Sequence, residues 1–249
     1  MTDGGQRPVA LVTGAAKRVG ATIARTLHAA GYDIALHARN SYAEQEALAL
    51  ELEALRPDST LTLQAELADV DCLPDLVDAV LARFGHLDAL VNNASAFYPT
   101  PLATVTPSQW DELFAANARA PLFLAQAAAP ALRKAQGAIV NIADIHADRP
   151  LKNYVVYSMA KAGLVGLTRS LARELAPEVR VNAVAPGPVL WPDDESFDEL
   201  SRQRIISNTP LKREGTPEDI AGAVYFLLAE AHYVTGETIN VDGGRHIAI

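Results

Sequence analysis

The sequence predicts an α/β fold, a doubly wound parallel sheet with helices on both faces, on three observations. Six short apolar runs bounded by turn residues recur along the 249 residues, at Val9–Gly14, 33–38, 61–66, 88–93, 137–143 and 179–186, as buried strands do. Stretches of helical period separate them, at 19–30, 43–55, 73–84, 107–135 and 154–176, and strand-helix alternation of this kind builds a parallel sheet. An apolar content of 49% over this length is enough for a substantial core, so a single domain spanning residues 1–249 is expected.

The first run passes through a glycine turn into a helix (VALVTGAAKRVGATIARTL). In that context helix N-terminal N–H groups cradle a pyrophosphate. Gly14 and Gly20 stand six apart, outside the GxGxxG spacing, with Lys17 and Arg18 between them where an acidic ligand would arrive. Taken alone, such a turn is also compatible with a tight connection. The second run ends LHARNS, with Arg39 where NAD-preferring folds carry an acid for the ribose 2′-hydroxyl. A 2′-phosphate is favoured there and hence NADPH, the alternative being an arginine that solvates a surface loop.

Later elements announce their own starts. Thr106-Pro107 and Thr216-Pro217 each offer a hydroxyl cap followed by proline at the first helical position. Asn117 lies four before Pro121, which cannot donate to the Asn117 carbonyl, so a kink is expected, with a freed carbonyl able to hold a water that reaches Lys161. An ordinary proline kink with a solvated amide is the alternative. Residues 188–212 break the alternation and are too long for a simple connection; following a strand, they are expected to form a substrate lid.

Composition excludes several functions. The formal charge is −9 and no basic stripe is present, which argues against a nucleic-acid partner. No apolar stretch approaches the length of a membrane span, and MTDGGQRP has no apolar leader, so a cytoplasmic protein is expected. Cys72 is the only cysteine and is expected to be a small core residue. No metal is implied. His37 and His146 are expected to be hydrogen-bonded surface residues.

The chemistry concentrates in VNIADIHADRPLKNYVVYSMAK, residues 140–161. Tyr157 and Lys161, four apart, share a helix face. The ammonium is expected to favour the phenolate and bring the phenol, ordinarily near 10, toward neutrality. Asp144 stands thirteen residues before the tyrosine at the carboxyl end of a strand, where open α/β sheets bind ligands. It could equally cap the turn at 144–147 or pair with Arg149.

These motifs, TGAAKRVG, VNNAS, Asn117, YSMAK, VAPG at 184–187 and VDGG at 241–244, occur in order over almost the whole chain and resemble the short-chain dehydrogenase/reductase family. The resemblance implies a seven-stranded Rossmann sheet, hydride transfer from a nicotinamide and a homotetramer. It assigns catalysis to Asn117, Asp144, Tyr157 and Lys161. Cofactor contacts would come from Gly14, Lys17, Arg18, Val19 and Gly20, from Arg39, Asn40 and Ser41, and from Glu66 and Leu67. Further along the chain they would come from Asn93, Ala94 and Ser95, from Tyr157 and Lys161, and from Pro186, Gly187 and Val189.

Two departures from the common pattern narrow the resemblance. Asp144 replaces a serine, and Arg18 replaces a third glycine. With NNASAFYPTPL, these resemble the pteridine reductase branch, which implies a pterin or folate substrate. A pterin needs hydride at a ring carbon and a proton at the neighbouring ring nitrogen. Phe97 could stack on the ring or be core, and Asp144 with Tyr157 could supply protons. Arg18, Ser95 and Trp191 complete the expected substrate contacts, although Trp191 could simply anchor the lid. Glu66 stands where the family usually has Asp. The alternatives are a dihydromonapterin, dihydrofolate or carbonyl reductase of the same family, or a protein that senses NADP(H) without turnover.

Overall fold

A computed structural model of the chain describes residues 6–191 and 197–248. Seven parallel strands, β1 (Val9–Val12), β2 (Asp33–Ala38), β3 (Thr60–Gln64), β4 (Ala89–Asn92), β5 (Ala138–Ile142), β6 (Arg180–Pro186) and β7 (Thr238–Val241), form one sheet in the order β3-β2-β1-β4-β5-β6-β7. The helices are α1 (Arg18–Ala29), α2 (Tyr42–Leu55), α3 (Leu73–Phe84), α4 (Pro107–Phe114), α5 (Ala120–Ala135), α6 (Val155–Glu174), α7 (Glu199–Asn208) and α8 (Pro217–Ala229). This is the Rossmann-like α/β architecture the sequence predicts.

Helices on both faces make the central strands apolar throughout: every residue of β1, β2 and β5 is buried. Ala10, Val12, Ile34 and Leu36 face α1 and α8, where they meet Ile23, Leu27, Val224 and Leu227. Val9, Leu11, Leu90 and Ile139 face α3 and α5, against Val77, Val80, Leu124 and Leu132. Each large side chain buried in this way contributes about 1.5–3 kcal/mol. Cys72 lies at the edge of this second core, half-buried, with its thiol directed at the Asp69 carbonyl at 3.0 Å.

The winding reverses between β1 and β4, opening a crevice at the carboxyl ends of the strands. Both predicted threonine caps form, each as a reciprocal capping box, Thr106 with Gln109 and Thr216 with Asp219. The predicted helix over 107–135 is interrupted at Ala115–Arg119 by a π turn. There the Ala120 N–H donates to the Ala115 carbonyl, so the disturbance before Pro121 is a widened turn rather than a bare proline kink. Asn117 sits in it.

Helix α7, unexpected from the sequence, lies in the segment read as a lid and is capped by Asp198 accepting from the Ser201 N–H at 2.8 Å. Residues 192–196 of that segment lie outside the described residues. Among the described residues, no helix is long and apolar enough to cross a membrane.

Candidate active site

The glycine turn after β1 is shaped by close approach. Gly14 has φ +63°, and a Cβ on Gly20 would stand 2.1 Å from the Gly14 carbonyl oxygen and 2.5 Å from Asn93 Nδ2. Only glycine fits either position without moving backbone. Asn93 Nδ2 donates to the Thr13 and Gly14 carbonyls at 2.8 and 3.0 Å, while Thr13 Oγ1 accepts the Asn93 and Ala94 N–H groups. These bonds lock the loops after β1 and β4 together. Arg18, at φ +54°, holds the left-handed conformation that a glycine would adopt freely, at a cost of about 1–2 kcal/mol for an L-residue. Its guanidinium donates to the carbonyls of Leu190 and Trp191 at 3.1 and 3.0 Å, tying the first turn to the segment after β6.

His37 corrects the expectation of a surface histidine, being 1% exposed beneath this turn. Its Nδ1 accepts the Gly14 N–H at 3.3 Å, which leaves Nε2–H to donate to the Ala65 carbonyl at 3.1 Å. The ring is thereby held neutral, and burial pushes its pKa down.

A cleft of about 430 Å³ opens over the turn, lined by Gly14, Lys17, Arg18, Val19, Gly20, Arg39, Glu66, Leu67, Asn93, Ala94 and Ser95, all predicted as cofactor contacts. His37, Ala96, Glu112 and Ala116 also line it and were not predicted. Asn40 and Ser41 lie outside its lining: Asn40 is exposed and Ser41 precedes α2. Lys17 pairs with Glu44 at 2.7 Å and Arg39 with Glu66 at 3.4 Å, all four being about half exposed. Such surface pairs contribute little, about 0–1 kcal/mol, so an incoming phosphate can displace the acids.

A second cavity of about 480 Å³ shares Arg18, Val19, Asn93 and Ser95 with the first. It gathers Asp144, Tyr157, Lys161, Phe97, Pro186, Gly187, Val189 and Trp191, residues that lie up to 94 positions apart from Phe97 to Trp191. Tyr157 Oη donates to Asp144 Oδ2 at 2.6 Å, while Asp144 Oδ1 accepts the His146 N–H at 2.8 Å. Asp144 therefore caps its turn and holds the tyrosine at the same time. Arg149 pairs with Asp148 instead.

Contrary to the sequence expectation, the Tyr157 phenol is pushed well above its usual value. Burial is the largest cause, and the Asp144 charge and hydrogen bond add to it, with Ser95 acting against them. Lys161 donates to the Ile142 carbonyl at 2.8 Å, and burial pulls its pKa down to about 8, partly offset by the Asp144 charge.

Asn117 lines neither cavity; it supports one. Its Nδ2 donates to the Ala96 and Leu113 carbonyls at 2.9 Å each, and its Oδ1 accepts the Ser95 hydroxyl at 2.6 Å. The amide is 1% exposed, not solvated. Phe97 stacks on Tyr154 at 4.6 Å and meets Tyr157 edge-on at 4.8 Å. Trp191 donates Nε1–H to Glu214 at 2.7 Å, and the Arg202 guanidinium lies over its ring. His146, Leu190, Phe197, Ile205 and Arg245 also wall this cavity and were not predicted as contacts. Two of these stood beside motifs already noted: His146 two after Asp144, and Arg245 directly after VDGG.

A glycine cradle at the sheet crevice, opening into a pocket that holds a tyrosine-lysine pair, defines a nicotinamide-dependent oxidoreductase. Residues 14–246 match a family model described as enoyl-(acyl carrier protein) reductase. The chain is 40% identical to pteridine reductase 1 of Leishmania tarentolae, over 98% of each chain. It is 36% identical to the 3-oxoacyl-(acyl carrier protein) reductase FabG of Staphylococcus aureus, over 96% of this chain and 98% of the other. The chain belongs to the short-chain dehydrogenase/reductase family and is an NAD(P)-dependent reductase of a small-molecule substrate.

Proposed function

We propose that this chain is an NADPH-dependent pteridine reductase acting on biopterin-type pterins and their 7,8-dihydro forms. The 2.6 Å hydrogen bond between Tyr157 and Asp144 carries the reading. Polarising a ketone asks for a neutral hydroxyl beside the tyrosine, whereas a carboxyl group in that place can pass protons to ring nitrogens. The identity to the Leishmania enzyme over the full length supports it.

The residues present fit a dinucleotide, since the tight turn at Gly14 and Gly20 lines one cleft with the cations Lys17, Arg18 and Arg39. Lys17, Arg39, Asn40 and Ser41 would take the 2′-phosphate end, Glu66 and Leu67 the adenine, and Asn93, Ala94 and Ser95 the middle of the cofactor. Lys161, Pro186, Gly187 and Val189 would hold the nicotinamide half. Bound there, NADPH supplies the hydride. Protonation falls to this chain: Tyr157 donates to the ring nitrogen, and Asp144, hydrogen-bonded to it, assists reduction of the fully oxidised pterin. Lys161 keeps a positive charge near the phenol, and Asn117 orients Ser95. Phe97 offers the pterin an apolar wall, and Arg18 and Trp191 close the pocket.

One sheet spanning the chain supports a single domain over 1–249. The homotetramer is supported by apolar side chains left exposed on α4, α5 and α6, among them Trp110, Leu122, Phe123 and Met159.

The test is NADPH oxidation by purified protein with biopterin, dihydrobiopterin, dihydromonapterin, dihydrofolate and a 3-oxoacyl thioester, ranked by kcat/KM. Pterins are expected to lead. Leadership by the thioester would favour the second reading, a carbonyl reductase, to which the FabG similarity points. Cofactor binding without turnover of any substrate would leave a nucleotide-sensing protein. For cofactor choice, Arg39→Glu is expected to raise KM for NADPH about 10- to 100-fold, the worth of a charge-assisted contact, and to favour NADH. An unchanged NADPH preference would remove Arg39 from the 2′-phosphate site.

A further inference from the structure

One wall of the second cavity carries a charge that the proton-transfer chemistry does not use. Arg245, half-buried just beyond β7, lines it together with His146 from the loop after β5. Arg245 Nη1 donates to the Ile205 carbonyl at 3.1 Å, which fixes the guanidinium against α7. The nearest acid in sequence, Asp242, is engaged elsewhere: it accepts from the Gly244 N–H, the His246 N–H and the His246 ring. Among the described residues Arg245 makes no ion pair, whereas Arg25, Arg39, Arg83 and Arg213 each have a carboxylate.

Burial works against the Arg245 charge and lowers its pKa, partly offset by the Asp242 charge, although the two side chains make no direct ion pair. A guanidinium held partly out of water with no carboxylate in direct contact favours an anionic ligand. His146 also lines this wall but offers an anion no donor. Its Nδ1 faces the Arg149 carbonyl at 2.8 Å and must carry the proton there, which leaves Nε2 without a hydrogen bond among the described residues. Asp144 is the only carboxylate lining the cavity among the described residues, and its two oxygens are held by Tyr157 and the His146 N–H.

We propose that Arg245 reads an anionic group at the end of the substrate remote from the ring being reduced. The enzyme would then prefer pterins with a carboxylate- or phosphate-bearing tail over those with a neutral side chain. The inference rests on the pterin reading above. Arg245 does not touch the reacting atoms; it sets specificity.

The experiment compares dihydrofolate, a dihydroneopterin phosphate and neutral dihydrobiopterin on the wild type, Arg245→Met and Arg245→Lys. Arg245→Met is expected to raise KM for the anionic substrates about tenfold, as loss of one charge-assisted hydrogen bond implies. It should leave kcat and the KM for dihydrobiopterin unchanged, and Arg245→Lys should restore most of the loss. A larger effect on one anionic substrate tells carboxylate from phosphate. Independently of any variant, added salt should raise the wild-type KM for the anionic substrates more than for dihydrobiopterin. Equal KM changes for neutral and anionic substrates, or equal salt dependence, would overturn the proposal while leaving pteridine reduction standing. A wild type that reduces no pterin would overturn both readings, and is recognisable because the wild type itself is inactive.

Discussion

Tyr157→Phe is expected to lower kcat/KM for dihydrobiopterin by about 10²- to 10⁴-fold, the range that a positioned general acid contributes, with NADPH affinity preserved. The phenol is 4% exposed and its pKa lies well above the usual value, so it remains protonated through the neutral range as a donor must. Removing the hydroxyl takes away that proton and strips Asp144 Oδ2 of its 2.6 Å donor. The fold should tolerate the loss, because Asp144 Oδ1 keeps the His146 N–H and Phe97 still packs edge-on against the ring. Cofactor binding measured by fluorescence separates lost chemistry from lost structure. A variant that binds NADPH normally and reduces dihydrobiopterin at nearly the wild-type rate would remove Tyr157 from proton transfer.

Strands were legible where burial on both faces demanded continuous apolar runs, as in β1, β2 and β5, which fall within the predicted segments. Thr106 and Thr216 announced their helices because a cap is a local device, a hydroxyl and a proline at fixed offsets. Short β7 depended on the resemblance alone: four residues, none fully buried, carry little periodic signal. The polar helix α7 has no buried residue, so no apolar stripe marked it. The π turn at Asn117 eluded a reading based on Pro121 because the choice between a kink and a widened turn depends on what the side chain finds. Asn117 finds Ser95 and two carbonyls.

Within the candidate site, the residues brought together were legible, but their electrostatics were not. Spacing put Tyr157 and Lys161 on one face, yet the direction of the phenol's shift depended on burial and on Asp144. Arg39 and Lys17 were recognisable as cations near a phosphate turn. Their acidic partners, Glu66 and Glu44, come from separate elements and could not be paired from spacing. His37 looked like any polar residue in a strand, and only the closeness of Gly14 and Ala65 explains its burial. His146, read as a surface histidine, and Arg245 were not predicted as contacts because the cavity they line exists only in three dimensions.

Asp144→Ser is expected to cost about 10²-fold in kcat/KM on fully oxidised biopterin and much less on dihydrobiopterin, because the carboxyl group is the proposed proton source for the first reduction only. The same change alters the neighbours in a defined sense. Asp144 raises the Tyr157 pKa by charge and hydrogen bond, so its removal brings the phenol down toward its ordinary value. It also raises the Lys161 pKa against the effect of burial, so its removal lowers the lysine further below about 8. The ammonium is present below that value and lost above it. An alkaline fall in kcat/KM is expected near pH 8 in the wild type, where Lys161 loses its proton, and should move to lower pH in Asp144→Ser. The stability linked to the lysine has the opposite dependence: a depressed folded-state pKa means that the unfolded chain binds more protons between about 8 and 10.5, so stability rises with pH across that window. Equal losses on the two pterins would show that Asp144 is not the proton source, and an alkaline limb that stays in place would show that its charge does not reach Lys161. A serine in this position would leave the tyrosine beside a neutral hydroxyl, an arrangement suited to ketones, so any gain in 3-oxoacyl thioester reduction by the variant would mark Asp144 as the residue that directs this site toward ring nitrogens.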